Sequence, residues 1–108
     1  MNKIYNKLVR NKIPDIIVNN GGKPSVRILT DEEYSLELIN KLKEECKEVE
    51  NATDKEEILE ECADVMQVLE DILKLNGRTL EDVINIKKKK EEKRGGFDRK
   101  VFLESVEE

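Results

Sequence analysis

The sequence predicts an all-α protein, a compact helical bundle of one short and three longer helices. Three observations carry this. Apolar residues recur three and four apart along residues 38–52 and again along 58–73, which is the spacing of one helix face. Thr30, Asp54 and Thr79 each precede a helical run and are followed three residues later by Glu33, Glu57 and Asp82, the arrangement of a capping box. Charged residues make up 42% of the chain, more than a small core accepts, so they must solvate helix faces.

The totals narrow the function. A chain of 108 residues suits a single domain, 1–108. With a net charge of −5 and 4% aromatic residues, neither a basic nucleic-acid surface nor a base-stacking platform is expected. Histidine is absent, which removes Ser-His-Asp and Cys-His catalysis and any histidine-containing zinc site. Cys46 and Cys62 do not make a disulfide framework; they read as small core hydrophobes. No signal peptide and no bilayer-spanning apolar run is found, so a cytoplasmic protein without membrane contact is expected.

In chain order, residues 1–12 mix cations with apolar residues and have no clear period. Lys7, Arg10 and Lys12 form a basic arm, either solvated or folded over the acidic site as a phosphate clamp. Pro14 suits the first turn of a short helix carrying Ile16, Ile17 and Val18 and stopping at Gly21-Gly22. Lys23 to Thr30 alternates weakly at Val26 and Ile28, as in a short strand, for which Lys100-Val101-Phe102-Leu103 is the available partner. Thr30 then caps a helix whose core face is Leu38, Ile39, Leu42, Cys46, Val49 and Ala52. Asp54 caps the next, with Ile58, Leu59, Cys62, Val65, Met66, Leu69, Ile72 and Leu73 as its apolar face. Asn76-Gly77 ends it. Thr79 caps the last, which turns basic from Lys87 to Arg94; Lys87, Lys90 and Arg94 continue the stripe begun at Val83 and Ile84.

Two of these helices carry the chemistry. Glu44, Glu45 and Glu48 occupy adjacent turns of one, and Glu61 and Asp64 lie one turn apart on the other. Like charges at such spacing destabilise a helix by roughly 0.2–0.5 kcal/mol a pair. Glu45 falls inside the apolar stripe, three after Leu42 and four before Val49, where a charge is costly unless paired or bound to metal. Magnesium is usually held by a few carboxylates plus substrate phosphates. A magnesium site between two helices accounts for all five acids, and the basic residues nearby suit an anionic substrate attacked directly by water.

The residues that carry this reading also resemble a family. Glu-Glu-x-x-Glu, followed after twelve residues by Glu-x-x-Asp, is similar to the signature of the MazG-like, all-α nucleoside triphosphate pyrophosphohydrolases. Tyr5-Asn6-Lys7-Leu8-Val9-Arg10-Asn11-Lys12-Ile13-Pro14 and Lys93-Arg94-Gly95-Gly96-Phe97 resemble stretches of a compact branch related to the phosphoribosyl-ATP pyrophosphohydrolases. The resemblance implies hydrolysis between the α and β phosphates of a nucleoside triphosphate, as house-cleaning of non-standard nucleotides. It implies Glu45, Glu48, Glu61 and Asp64 as ligands of Mg²⁺ or Mn²⁺. Glu44, or Glu45, becomes the acid that accepts a proton from water, and Lys7, Arg10, Lys90, Lys93 and Arg94 become phosphate contacts. Asn11 departs from the Asp usual after the Val-Arg pair. The family assembles as dimers or larger, so a homodimer or homotetramer completing the four-helix packing is expected, in keeping with the modest core.

Two rivals stand beside it. One is the phosphoribosyl-ATP pyrophosphohydrolase of histidine biosynthesis, on a similar scaffold with the same bond cleaved. The other is a non-catalytic helical interaction module, in which Glu45→Leu would be neutral or stabilising. A DNA-associated accessory role for the lysine run ranks last, given the net charge.

Overall fold

Thr30 opens the longest ordered stretch. Its hydroxyl accepts from the Glu33 N–H at 3.2 Å while the Glu33 carboxylate accepts from the Thr30 N–H at 3.1 Å, so two otherwise orphaned donors are satisfied reciprocally. In the computed structural model, which describes residues 2–107, this box starts α2. The elements in order are α1 (Ile13–Asn19), α2 (Asp31–Asn51), α3 (Lys55–Leu75) and α4 (Leu80–Arg94). Among the described residues no helix is long and apolar enough to cross a membrane. The chain divides into two units, one up to Gly77 and one from Arg78 onward.

In the first unit Pro14 lies in the opening turn of α1, where its missing N–H is not needed. The helix closes with the Gly22 N–H donating to the Ile17 carbonyl at 2.9 Å. A Cβ on Gly22 would meet the Ile17 side chain at 2.6 Å, so this close return requires glycine. The following segment is tied back to α2 by Arg27, whose guanidinium donates to both Glu33 carboxylate oxygens. Asp54 caps α3 through the Glu57 N–H at 2.9 Å, and the Glu57 carboxylate reaches back to the Thr53 N–H, also at 2.9 Å. With only residues 52–54 between them, α2 and α3 fold back as an antiparallel hairpin of two 21-residue helices.

The hairpin packs through Leu38 of α2 and Val68 of α3, at 2% and 7% exposure the only buried hydrophobic residues among those described. The expected apolar faces are therefore corrected in part. Leu42, Val49, Val65, Ile72 and Leu73 are half-buried, but Ile39, Ile58, Leu59, Met66 and Leu69 are exposed. Cys46 and Cys62 are exposed as well, not small core residues. The reason is geometric. An apolar stripe wider than one helix contact meets its hairpin partner along one edge and leaves the other edge in solvent.

The short strand pair is also corrected: the described residues contain no strand, and both 23–30 and 100–103 are irregular. Val26 and Ile28 are 64% and 93% exposed, so the face that the weak alternation marks stays in solvent. Pro24 offers no ladder donor, and a lone strand pair is marginal in water.

The second unit consists of α4 and the chain after it. A complete capping box of Thr79 and Asp82 starts α4. Gly95, at φ 82°, ends it in a backbone region that side chains disfavour. The described residues beyond form no regular element, and Phe97, Val101 and Phe102 are largely exposed.

Candidate metal centre

Glu45 lies on α2 and Glu61 and Asp64 on α3, facing one another across the hairpin. One carboxylate oxygen from each converges so that all lie within 4.8 Å of one another. This follows from the antiparallel register: residues near 45 of one helix stand opposite residues near 64 of the other. Glu61 and Asp64, three apart, share a face of α3.

The electrostatics are those of crowded acids. Partial desolvation and the neighbouring Asp64, Glu44 and Glu48 charges push the Glu45 carboxyl above its ordinary value, against the lowering effect of Lys41. Desolvation, then Asp64, Glu48 and Glu45, push Glu61 in the same direction. Both acids thus hold their charge at an electrostatic cost that a cation would relieve. Oxygen-only donors at this spacing fit Mg²⁺ or Mn²⁺ and not a soft metal.

Glu48 is the fourth residue expected as a ligand. It stands outside the converged trio and is exposed on α2, yet it is close enough to raise both Glu45 and Glu61. Glu44 takes a different direction. Its carboxylate accepts from Lys7 Nζ at 3.3 Å and from Lys41 Nζ at 3.2 Å. Partial burial pushes its pKa up, but these two cations outweigh it and the net shift is downward.

Lys41 was not singled out in the sequence. Its side chain is only 16% exposed, and Nζ lies 3.2 Å from Glu44 and 3.8 Å from Glu45. The signal was present in its position three and four residues before them.

Arg10 Nη2 donates to Asp64 Oδ1 at 2.6 Å. Between Lys7 and Arg10, half-buried Leu8 and Val9 line a groove shared with Leu38, Val68, Glu45 and Asp64. Of the three cations of the N-terminal arm, Lys7 and Arg10 thus meet the acids, whereas Lys12 is exposed. Lys90, Lys93 and Arg94 lie toward the end of α4 in the second unit, all exposed.

A family model for phosphoribosyl-ATP pyrophosphohydrolase matches residues 22–91. The chain belongs to that family. That family is MazG-like and all-α, and its description is that of pyrophosphohydrolases, which act on acid anhydrides. The family match spans every acid of the cluster and stops short of Lys7 and Arg10 on one side and Lys93 and Arg94 on the other. Its description names the substrate of the histidine-biosynthesis rival more directly than that of the house-cleaning reading. No curated protein and no solved structure matches the chain.

Proposed function

We propose that this chain, as one catalytic domain, hydrolyses a nucleotide between its α and β phosphates, giving a monophosphate product and pyrophosphate. The observation that carries the reading is the convergence of Glu45, Glu61 and Asp64 across the hairpin, within 4.8 Å. These three, with Glu48 after a change of rotamer, would hold Mg²⁺ or Mn²⁺. When bound, the cation supplies charge neutralisation and polarisation of phosphate oxygens.

The remaining roles fall to the chain's own groups. Glu44, whose ionised form Lys41 and Lys7 favour, would accept a proton from the attacking water. Glu45 is the alternative acceptor, since its neighbours raise its proton affinity. Lys7 and Arg10 would bind phosphate oxygens from the N-terminal side. The new O–P bond forms to water oxygen, and pyrophosphate leaves with the former bridging oxygen.

Phosphoribosyl-ATP is the substrate that the family description supports first. House-cleaning of non-standard nucleoside triphosphates is the second reading. The deciding experiment measures pyrophosphate release with phosphoribosyl-ATP and a panel of standard and modified triphosphates, with and without Mg²⁺. Magnesium-dependent pyrophosphate that disappears in Glu45→Gln supports the reading, and the preferred substrate names the branch. Orthophosphate release would mean a different bond is cut. No release from any member would return the chain to a helical interaction module.

A further inference from the structure

We infer that the N-terminal segment bearing Lys7 and Arg10 is a displaceable strap that competes with a divalent cation for the acids of the hairpin. The inference rests on the metal-site reading above and adds an element that opposes the metal and is in turn released by it.

The segment is docked by four consecutive side chains. Lys7 pairs with Glu44 at 3.3 Å and Arg10 with Asp64 at 2.6 Å, while Leu8 and Val9 between them are half-buried against the hairpin. It has no helix or strand of its own before α1. Asn6, at φ 44°, turns the chain immediately ahead of it. Arg10 therefore sits on one of the three carboxylates that converge, and Lys7 on the neighbour of a second.

Two cations on one carboxylate cluster repel each other, so binding of either weakens binding of the other. The strap is the side that yields. The Arg10 and Asp64 side chains are 55% and 38% exposed, and exposed ion pairs are weak and screened by salt. Lys41 differs: it is 16% exposed and anchored on α2 one turn from its partners, so it stays. A dication gains from several carboxylates at once what Arg10 gains from one. Release frees the Lys7 and Arg10 charges for phosphate oxygens. The family match begins at residue 22, beyond this segment.

Linkage makes the antagonism reciprocal, so the same factor is readable from both sides. The test combines calorimetric titration with Mn²⁺ and limited trypsin cleavage of the full chain. Cleavage after Lys7 and Arg10 is measured relative to cleavage after Arg99, an exposed reference in the second unit. Arg10→Ala is expected to bind Mn²⁺ about two- to fivefold tighter than wild type, the range set by an exposed ion pair. Saturating Mn²⁺ is expected to accelerate cleavage of the wild-type segment by a comparable factor, and to have no effect in Glu45→Gln. Mn²⁺ binding that is unchanged or weaker in Arg10→Ala overturns the strap while leaving the metal site standing, provided Glu45→Gln abolishes binding. Cleavage that Mn²⁺ leaves unaltered or slows also overturns it. Wild type that binds no Mn²⁺ at millimolar concentration overturns both readings together.

Discussion

Arg27 grips Glu33 through both carboxylate oxygens, at 3.2 and 2.8 Å, while the same carboxylate accepts from the Thr30 N–H. Hydrogen bonds from Arg27 and then Thr30 push the Glu33 carboxyl from 4.5 down to about 2. Folding therefore favours the ionised form. The contribution is complete above the unfolded value near 4.5 and is lost as pH falls through about 2. Glu33→Gln is expected to lower stability at neutral pH and to flatten the loss of stability across that acid window. Urea midpoints measured across the window check this; an unchanged slope would count against the depressed value.

Glu45→Gln separates a metal ligand from a merely crowded acid. Without divalent cation the substitution relieves repulsion among Glu45, Asp64 and Glu48, and neutral or slightly increased stability is expected. With Mg²⁺ at about one hundred times its dissociation constant, wild type gains about 2.7 kcal/mol. The variant should gain little of this. Thermal melts with and without Mg²⁺ give both numbers.

Lys41 holds Glu44 and Glu45 together from within their own helix. Lys41→Met keeps the aliphatic bulk and removes the charge. It should cost about 1 kcal/mol at neutral pH, the scale of one net hydrogen bond, and millimolar Mg²⁺ should recover most of the loss by replacing the missing charge. Failure of Mg²⁺ to rescue the variant would separate Lys41 from the cation site.

Along α3, Leu59, Cys62, Met66 and Leu69 follow a three-four-three spacing and are all exposed, the pattern of a coiled-coil seam. This seam is proposed to pack in a homodimer or homotetramer. Wild type should scatter light as at least a dimer at micromolar concentration, and Leu59→Asp with Met66→Asp should reduce it to monomer. A monomeric wild type sinks the assembly. Labelling of Cys62 by a thiol reagent should slow as protein concentration rises.

Helix starts were legible because caps are local. Thr30 with Glu33, Asp54 with Glu57, and Thr79 with Asp82 need only residues three apart, and each bond forms as the spacing implies. The convergence of Glu45 with Glu61 and Asp64 was also within reach, since acids on facing turns of a tight hairpin must meet. Burial was not. Periodicity says which side of α3 is apolar, not which edge of that side meets α2, so Val68 is buried while Leu59 is open. The strand expected at residues 23–30 failed for a similar reason: alternation without a partner surface has nothing to bury. Lys41 is not legible in this way, because a lysine among glutamates reads as solvated until its depth is known.

The three-residue turn at 52–54 has a consequence for how the acids stay assembled. Glu48 and Glu61 are separated by only twelve residues of chain, so the two halves of the cluster sit at high effective concentration. Their encounter closes a short loop, which makes it an early and rapid event in folding. Fraying at the open end of the hairpin, near Asp31 and Leu75, leaves that encounter intact. The part of the molecule that carries the densest negative charge is thus also the part with the least freedom to spread it.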